Sequence, residues 1–277
     1  MTQRNVSCGK PLAVFVQGVG LLGPGLINWE QGQRCLSGSL PYEVHPSVLP
    51  LPMALPPAER RRAGAVIKVS LAVGQEAVAA SGLDAVSLPS VFSSSSGDAV
   101  NCHEICSALA SSDRLISPTR FHNSVHNASS GYWSISSGAM ASSSVLCAHD
   151  ASFSAGLLEA MTQVVIEDKP VLLVVYDTNY PEPLHVKRPV PDTLGVALVL
   201  SPRRDDHSLA LIALKDTGYL TTAAPNVMDN AALELLRQSI PAARALPLLQ
   251  AIALGQSTPL VLAYLNDAHL ALEVTPC

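Results

Sequence analysis

Charge is scarce in this 277-residue chain: Asp, Glu, Lys and Arg together make up 14% of it, against 48% hydrophobic residues. Such a composition excludes an intrinsically disordered chain and implies a sizeable buried core. Basic blocks are missing apart from Arg60-Arg61-Arg62, the net charge is −5, and aromatic residues amount to only 4%. Phosphate neutralisation and base stacking therefore both lack their side chains, and no nucleic-acid partner is expected. A membrane span is not expected either, because the uncharged stretch 245–265 is interrupted by Pro247, Gly255 and Pro259. Residues 1–10 are polar and lack the apolar segment of a secretory signal. The six cysteines, Cys8, Cys35, Cys102, Cys106, Cys147 and Cys277, are scattered through a long chain, which argues against a disulfide framework and for a reduced, cytoplasmic setting.

What the sequence does contain is an alternation of strand and helix patterns. Residues 12–22 form an apolar run that reads as a buried strand entering a Gly-Pro-Gly turn, and 27–36 have helical spacing. Residues 38–57 carry six prolines and predict an irregular surface loop. The stretch 58–81 predicts a helix with one buried face, 89–92 a short strand, 100–110 a helix, and the Ser/Gly/Ala-rich 127–141 a closely packed helix. Residues 143–148 predict a buried strand leading to a small-residue helix over 151–165. The continuous apolar runs 171–176 and 196–200 predict strands covered on both faces. A strand over 207–214, a helix over 230–239 and a closing hairpin, 259–265 with 268–274, complete the series. The class is α/β with a mixed sheet.

Four local patterns invite chemistry, and each has a structural reading. Gly18-Val19-Gly20-Leu21-Leu22-Gly23 fits G-x-G-x-x-G, but no acidic residue closes a second strand about 20 residues on, so a tight turn is expected rather than a cofactor loop. Cys102-His103-x-x-Cys106 suggests a metal, yet no second Cys/His pair has zinc spacing; buried helix cysteines, and no metal, are expected. His122 and His126 are four apart and would share a helix face, suited to an interface or pocket beside Asn127. Cys147-Ala148-His149-Asp150 contains the residue types of a nucleophilic triad, but working triads are assembled from distant segments. Cys147 is expected to be an inert core thiol, and Asp150 to cap the following helix.

The order of these features resembles the N-terminal half of the β-ketoacyl synthases, condensing enzymes of the thiolase fold. Val14–Glu43 is similar to their opening strand, Gly-x-Gly and helix; Ser94–Gly97 to their Gly/Ser-rich segment; Ile116-Ser117-Pro118 to their Ile-Ser-Pro. Asn127 and Gly131 match an Asn-x-x-x-Gly helix, and Gly195–Leu200 the later Gly-x-x-x-Leu-x-Leu strand. The resemblance implies a thiolase-like, layered α-β-α fold with a mixed sheet and a shortened C-terminal half. It also implies a ketosynthase-like domain over 1–216 and an abbreviated remnant over 217–277, packed as one unit.

The resemblance further places the family's nucleophilic cysteine at Asp150, with His149 and Ala151 as neighbours, and none of the three is cysteine. His269 is the only histidine after residue 216 and fits neither of the family's two histidine contexts. A carboxylate is a poor nucleophile toward a thioester. FHNSVHN and SFSAGLLEA are similar to the chain-length-factor-like proteins of aryl polyene and xanthomonadin-type pigment clusters. The implied function is that of a non-catalytic partner of an active ketosynthase, without a cofactor, with acyl carrier protein reached through the complex. Pairing is implied through Ser143, Ser144, Val145, Leu146, Cys147 and Ala148. The alternatives are an acyltransferase or thioesterase using Cys147, or His149 with Asp150, and a stand-alone acyl-binding homodimer.

Overall fold

The structure, a computed structural model, describes residues 12–215 and 220–277. The polar stretch 1–10 and the expected boundary at 216/217 lie outside the described residues. The chain runs β1 (Ala13–Leu22), α1 (Trp29–Leu36), α2 (Pro57–Arg62), α3 (Ala65–Ser81), β2 (Ser90–Ser93), α4 (Ala99–Ala110), α5 (Pro118–Asn123), α6 (Ala128–Ser137), β3 (Ser143–Leu146) and α7 (Ser152–Glu167). It continues as β4 (Val171–Asp177), α8 (Leu184–Lys187), β5 (Leu194–Ser201), β6 (Ala210–Leu214), β7 (Leu220–Thr221), α9 (Ala231–Ser239), α10 (Leu246–Leu254), β8 (Thr258–Leu262) and β9 (His269–Pro276).

The described strands form one sheet in the order β3-β2-β4-β5-β1-β6-β9-β7, with β8 also on β9. β3, β2 and β4 are parallel; the remaining pairings are antiparallel. Apolar side chains of β4 alternate between two cores: Val171, Leu173 and Val175 pack with α7, α1, α9 and α10, while Leu172, Val174 and Tyr176 pack with α3 and α6. The same alternation in β5 explains why both strands read as unbroken apolar runs: neither face meets water.

The tightest packing is between α3 and β1. A Cβ on Gly18 would stand 2.0 Å from the Ala77 carbonyl oxygen, and one on Gly20 would stand 2.0 Å from that of Val73. The glycines thus let helix backbone rest on strand backbone. They sit inside β1, so the expected tight turn is not at Gly18–Gly20; the chain turns later, where Gly23 and Leu26 exchange backbone hydrogen bonds. β6 leaves β1 after Val16, and Glu76 of α3 accepts from the Leu21 and Trp29 amides at 2.9 and 2.6 Å, joining β1, α1 and α3.

Several expected elements shift. The helix over 58–81 is two helices, because Ala63 is extended and Gly64 starts α3 without a side-chain cap. Arg60 of α2 is turned back onto the Met53 and Leu55 carbonyls of the loop instead. The helix over 127–141 stops at Ser137, with Gly138 in the left-handed region (φ +67°). The strand over 207–214 begins only at Ala210, since Asp205 holds His207 and Ser208 in a turn. Within the uncharged stretch 245–265, Pro247 opens and Gly255 closes a buried helix, α10.

Gly20→Ala is expected to destabilise the fold by about 3 kcal/mol or more, because the clash is with backbone and cannot be relieved by a rotamer change. Gly131→Ala, on a helix position with nothing within 4 Å, is expected to be neutral or slightly stabilising. Urea or thermal unfolding of the two variants checks this.

Candidate functional site

β3 lies at the edge of the sheet, paired only with β2, and is four residues long. Its residues are therefore half-exposed rather than buried, with Ser143 fully so, which corrects the expected core strand. The strand ends at Leu146, and Cys147, expected as an inert core thiol, is exposed. Its Sγ donates to the Ser95 carbonyl at 3.0 Å.

Between β3 and α7 the chain turns sharply at His149–Ala151. His149 adopts φ +51°, which a non-glycine residue seldom does. Hydrogen bonds within the turn hold it: Ser152 Oγ donates to the His149 carbonyl at 2.7 Å and accepts from the Ala148 amide at 3.1 Å, and Ser93 Oγ donates to the Ser152 carbonyl at 2.7 Å.

Asp150 does not cap α7, which begins without a side-chain cap. One carboxylate oxygen accepts from Arg188 at 2.5 Å and the other from Arg244 at 3.0 Å. Two charge-assisted bonds outweigh a single bond to a helix amide. His149 Nδ1 stands 3.6 Å from the same carboxylate. Two remote segments thus converge on residue 150.

Beside this turn is a cavity of about 810 Å³, lined by Ala148, His149, Asp150, Ala151, Arg244 and the hairpin loop 263–269. The loop brings in His269, whose Nδ1 accepts from the Tyr264 amide at 3.4 Å. That histidine was set aside on motif grounds, and no local pattern says that this hairpin folds over the turn.

Asp177, which no sequence pattern singled out, supports the site from below. It is fully buried at the end of β4 and accepts from the Ser95 amide at 2.9 Å and the Ala242 amide at 2.8 Å. Ser95 is the residue Cys147 bonds, and Ala242 is two residues before Arg244, so one carboxylate braces the segments that carry Cys147 and Arg244. Burial pushes its acid up to about 6; the Ser95 and Ala242 bonds and the charge of Arg188 oppose that rise.

The other expected residues lie elsewhere. His122 is on α5, its ring edge-on to Tyr132 at 6.5 Å. With Phe121, Val125, Asn127, Tyr132 and Ile135 it lines a separate groove of about 450 Å³. α5 ends at Asn123, so His126 falls in the following turn and the two histidines do not share a helix face. The expected burial of Cys102 and Cys106 also fails: both are exposed, and Ala99 is the only buried residue of α4. Among the described residues no group of three or more His, Cys, Asp or Glu could hold a metal, and no helix is long and apolar enough to cross a membrane.

Residues 28–254 match the family profile of the beta-ketoacyl synthase N-terminal domain. The chain belongs to the β-ketoacyl synthase family and has its thiolase-like fold. No curated protein matches the chain. Three solved structures resemble it along nearly their whole length. A chain of the ketosynthase ApeO in complex with its chain length factor ApeC, from Xenorhabdus doucetiae, is 21% identical, with a TM-score of 0.70 over 94% of this chain and 99% of that one. A chain of AntDE:AntF, a type II PKS acyl-carrier protein in complex with its ketosynthase, is 13% identical, with a TM-score of 0.73 over 96% and 100%. The ishigamide ketosynthase/chain length factor is 12% identical, with a TM-score of 0.69 over 95% and 99%. At such identities the likeness is one of fold.

Two measurements check this geometry. A double-mutant cycle of Asp150→Ala and Arg244→Ala is expected to give a coupling of about 1 kcal/mol, since the pair is charge-assisted but partly solvated. Asp177 holds its proton more tightly in the folded state, so its contribution to stability falls as pH rises from about 4 to about 6 and is flat above. Asp177→Asn is expected to remove that slope in urea unfolding across the same range.

Proposed function

We propose that this chain is a non-catalytic, chain-length-factor-like partner of an active β-ketoacyl synthase. In this reading it stabilises a heterodimer and shapes the acyl pocket in type II fatty acid or polyketide-like synthesis of the aryl polyene kind. The observation that carries it is the state of residue 150. The position the family resemblance assigns to the nucleophile holds a carboxylate, and both its oxygens are bound by arginines. Such a group neither attacks a thioester nor takes a proton from one that does.

The surface supports the partner. β3 presents an unpaired edge of peptide groups. Met140, three residues before it, is 88% exposed, and the groove of α5 and α6 exposes Phe121 (63%) and Ile135 (49%). An unpaired sheet edge and large exposed apolar side chains are each features that another chain can cover. Ser143, Ser144, Val145, Leu146, Cys147 and Ala148 would form the seam, with His122, His126 and Asn127 beside it. Acyl carrier protein would meet this chain through the complex.

The exposed Cys147 thiol favours a second reading, an acyltransferase or thioesterase acting through that residue. Co-expression with an active ketosynthase from the same source, followed by size-exclusion chromatography and native mass spectrometry, separates the two. The expected result is a 1:1 heterodimer whose product is unchanged by Cys147→Ala. A chain that elutes alone while the ketosynthase extends acyl chains equally well without it would sink the proposal. Loss of product in Cys147→Ala with the heterodimer intact would favour the enzyme.

A further inference from the structure

α4 is the least covered of the longer helices. Along its twelve residues only Ala99 is buried, and its side chains face solvent around most of its circumference. Cys102 and Cys106 are both exposed on it. Four residues apart, they lie on one face, one turn above the other. Their sulfurs sense each other: partial burial, then the adjacent Cys106 thiol, push the Cys102 thiol above its ordinary value.

That spacing decides what the pair can do. Helical residues four apart keep their Cβ atoms about 5–6 Å from one another. A disulfide needs Cβ atoms about 3.5–4.5 Å apart, so an intrahelical bridge would require the helix to unwind. One soft ion with metal–sulfur bonds of about 2.3 Å spans the gap without moving the backbone. The neighbours supply no third ligand. His103 points to another face, where Nε2 is 3.5 Å from Ser107 Oγ, and Glu104 faces Arg120 at 3.5 Å.

We propose that Cys102 and Cys106 form a surface dithiol site that chelates one soft, thiophilic d¹⁰ cation, with the remaining coordination positions open to water or a small thiol. Binding breaks two S–H bonds, forms two metal–sulfur bonds and releases two protons to solvent, with no change of oxidation state. The site is separate from the Asp150 cavity and does not depend on the partner reading.

Cadmium titration of the reduced full-length chain tests it. The expected result is an ultraviolet cadmium–thiolate charge-transfer band that saturates at one ion per chain, accompanied by release of two protons. Cys102→Ser and Cys106→Ser should each weaken binding about tenfold or more, through loss of the chelate. Cys147→Ser should leave the titration unchanged. Both serine variants are at exposed positions, and an unaltered far-ultraviolet circular dichroism spectrum checks that they fold. A titration whose midpoint and one-ion stoichiometry are unchanged in Cys102→Ser and Cys106→Ser, or one that is lost in Cys147→Ser, would overturn the proposal, as would a wild-type chain that shows no band.

Discussion

The contact on which the architecture rests is backbone against backbone: α3 lies on β1 with no side chain between them, because Gly18 and Gly20 leave the carbonyl oxygens of Ala77 and Val73 room to approach. Everything else takes its distance from that contact. Gly195 on the neighbouring strand is open to Val69 and Val73 of α3 for the same reason. Trp133 of α6 can then lie over Gly74. Glu76 locks the arrangement by bonding two amides that the strands and α1 leave unpaired, although burial raises its pKa. A helix held one methyl group further away would lose those bonds and open the second core.

At the parallel end of the sheet, a second buried acid performs a comparable task. Asp177 organises Ser95 and Ala242 by accepting their amides, and through them sets the floor under Cys147 and the approach of Arg244. A buried carboxylate survives there because its bonds come from rigid main chain. Asp150, half open to solvent, is held instead by two long side chains from separate segments. The first acid belongs to the frame; the second belongs to the surface chemistry.

The sequence was most informative where a single period dominated. The double-faced runs of β4 and β5, the small-residue helix α7 and the β8–β9 hairpin all announced themselves through local pattern. Residues whose environment is set by long-range contacts were misread. Cys147 looks buried because its strand is apolar, but exposure depends on β3 being at an edge, which the residues themselves do not encode. Cys102 and Cys106 look like core cysteines in an apolar helix, yet that helix buries only Ala99 and leaves both thiols exposed. Asp150 has the composition of a cap, and only the arrival of Arg188 and Arg244, 38 and 94 residues away, changes its partner. Asp177, His269 and Arg188 carry no motif, so their place at the site emerges only from the fold.

The turn that carries residue 150 keeps its shape without residue 150. Ser93, Ser152, the Ala148 amide and the left-handed backbone of His149 define it. The side chain at this position is therefore a replaceable part. A lineage can exchange the side chain there, and with it the chemistry, while the inherited frame goes on folding as before. Here two arginines close on the carboxylate that stands there, and its charge is neutralised without any change in the turn.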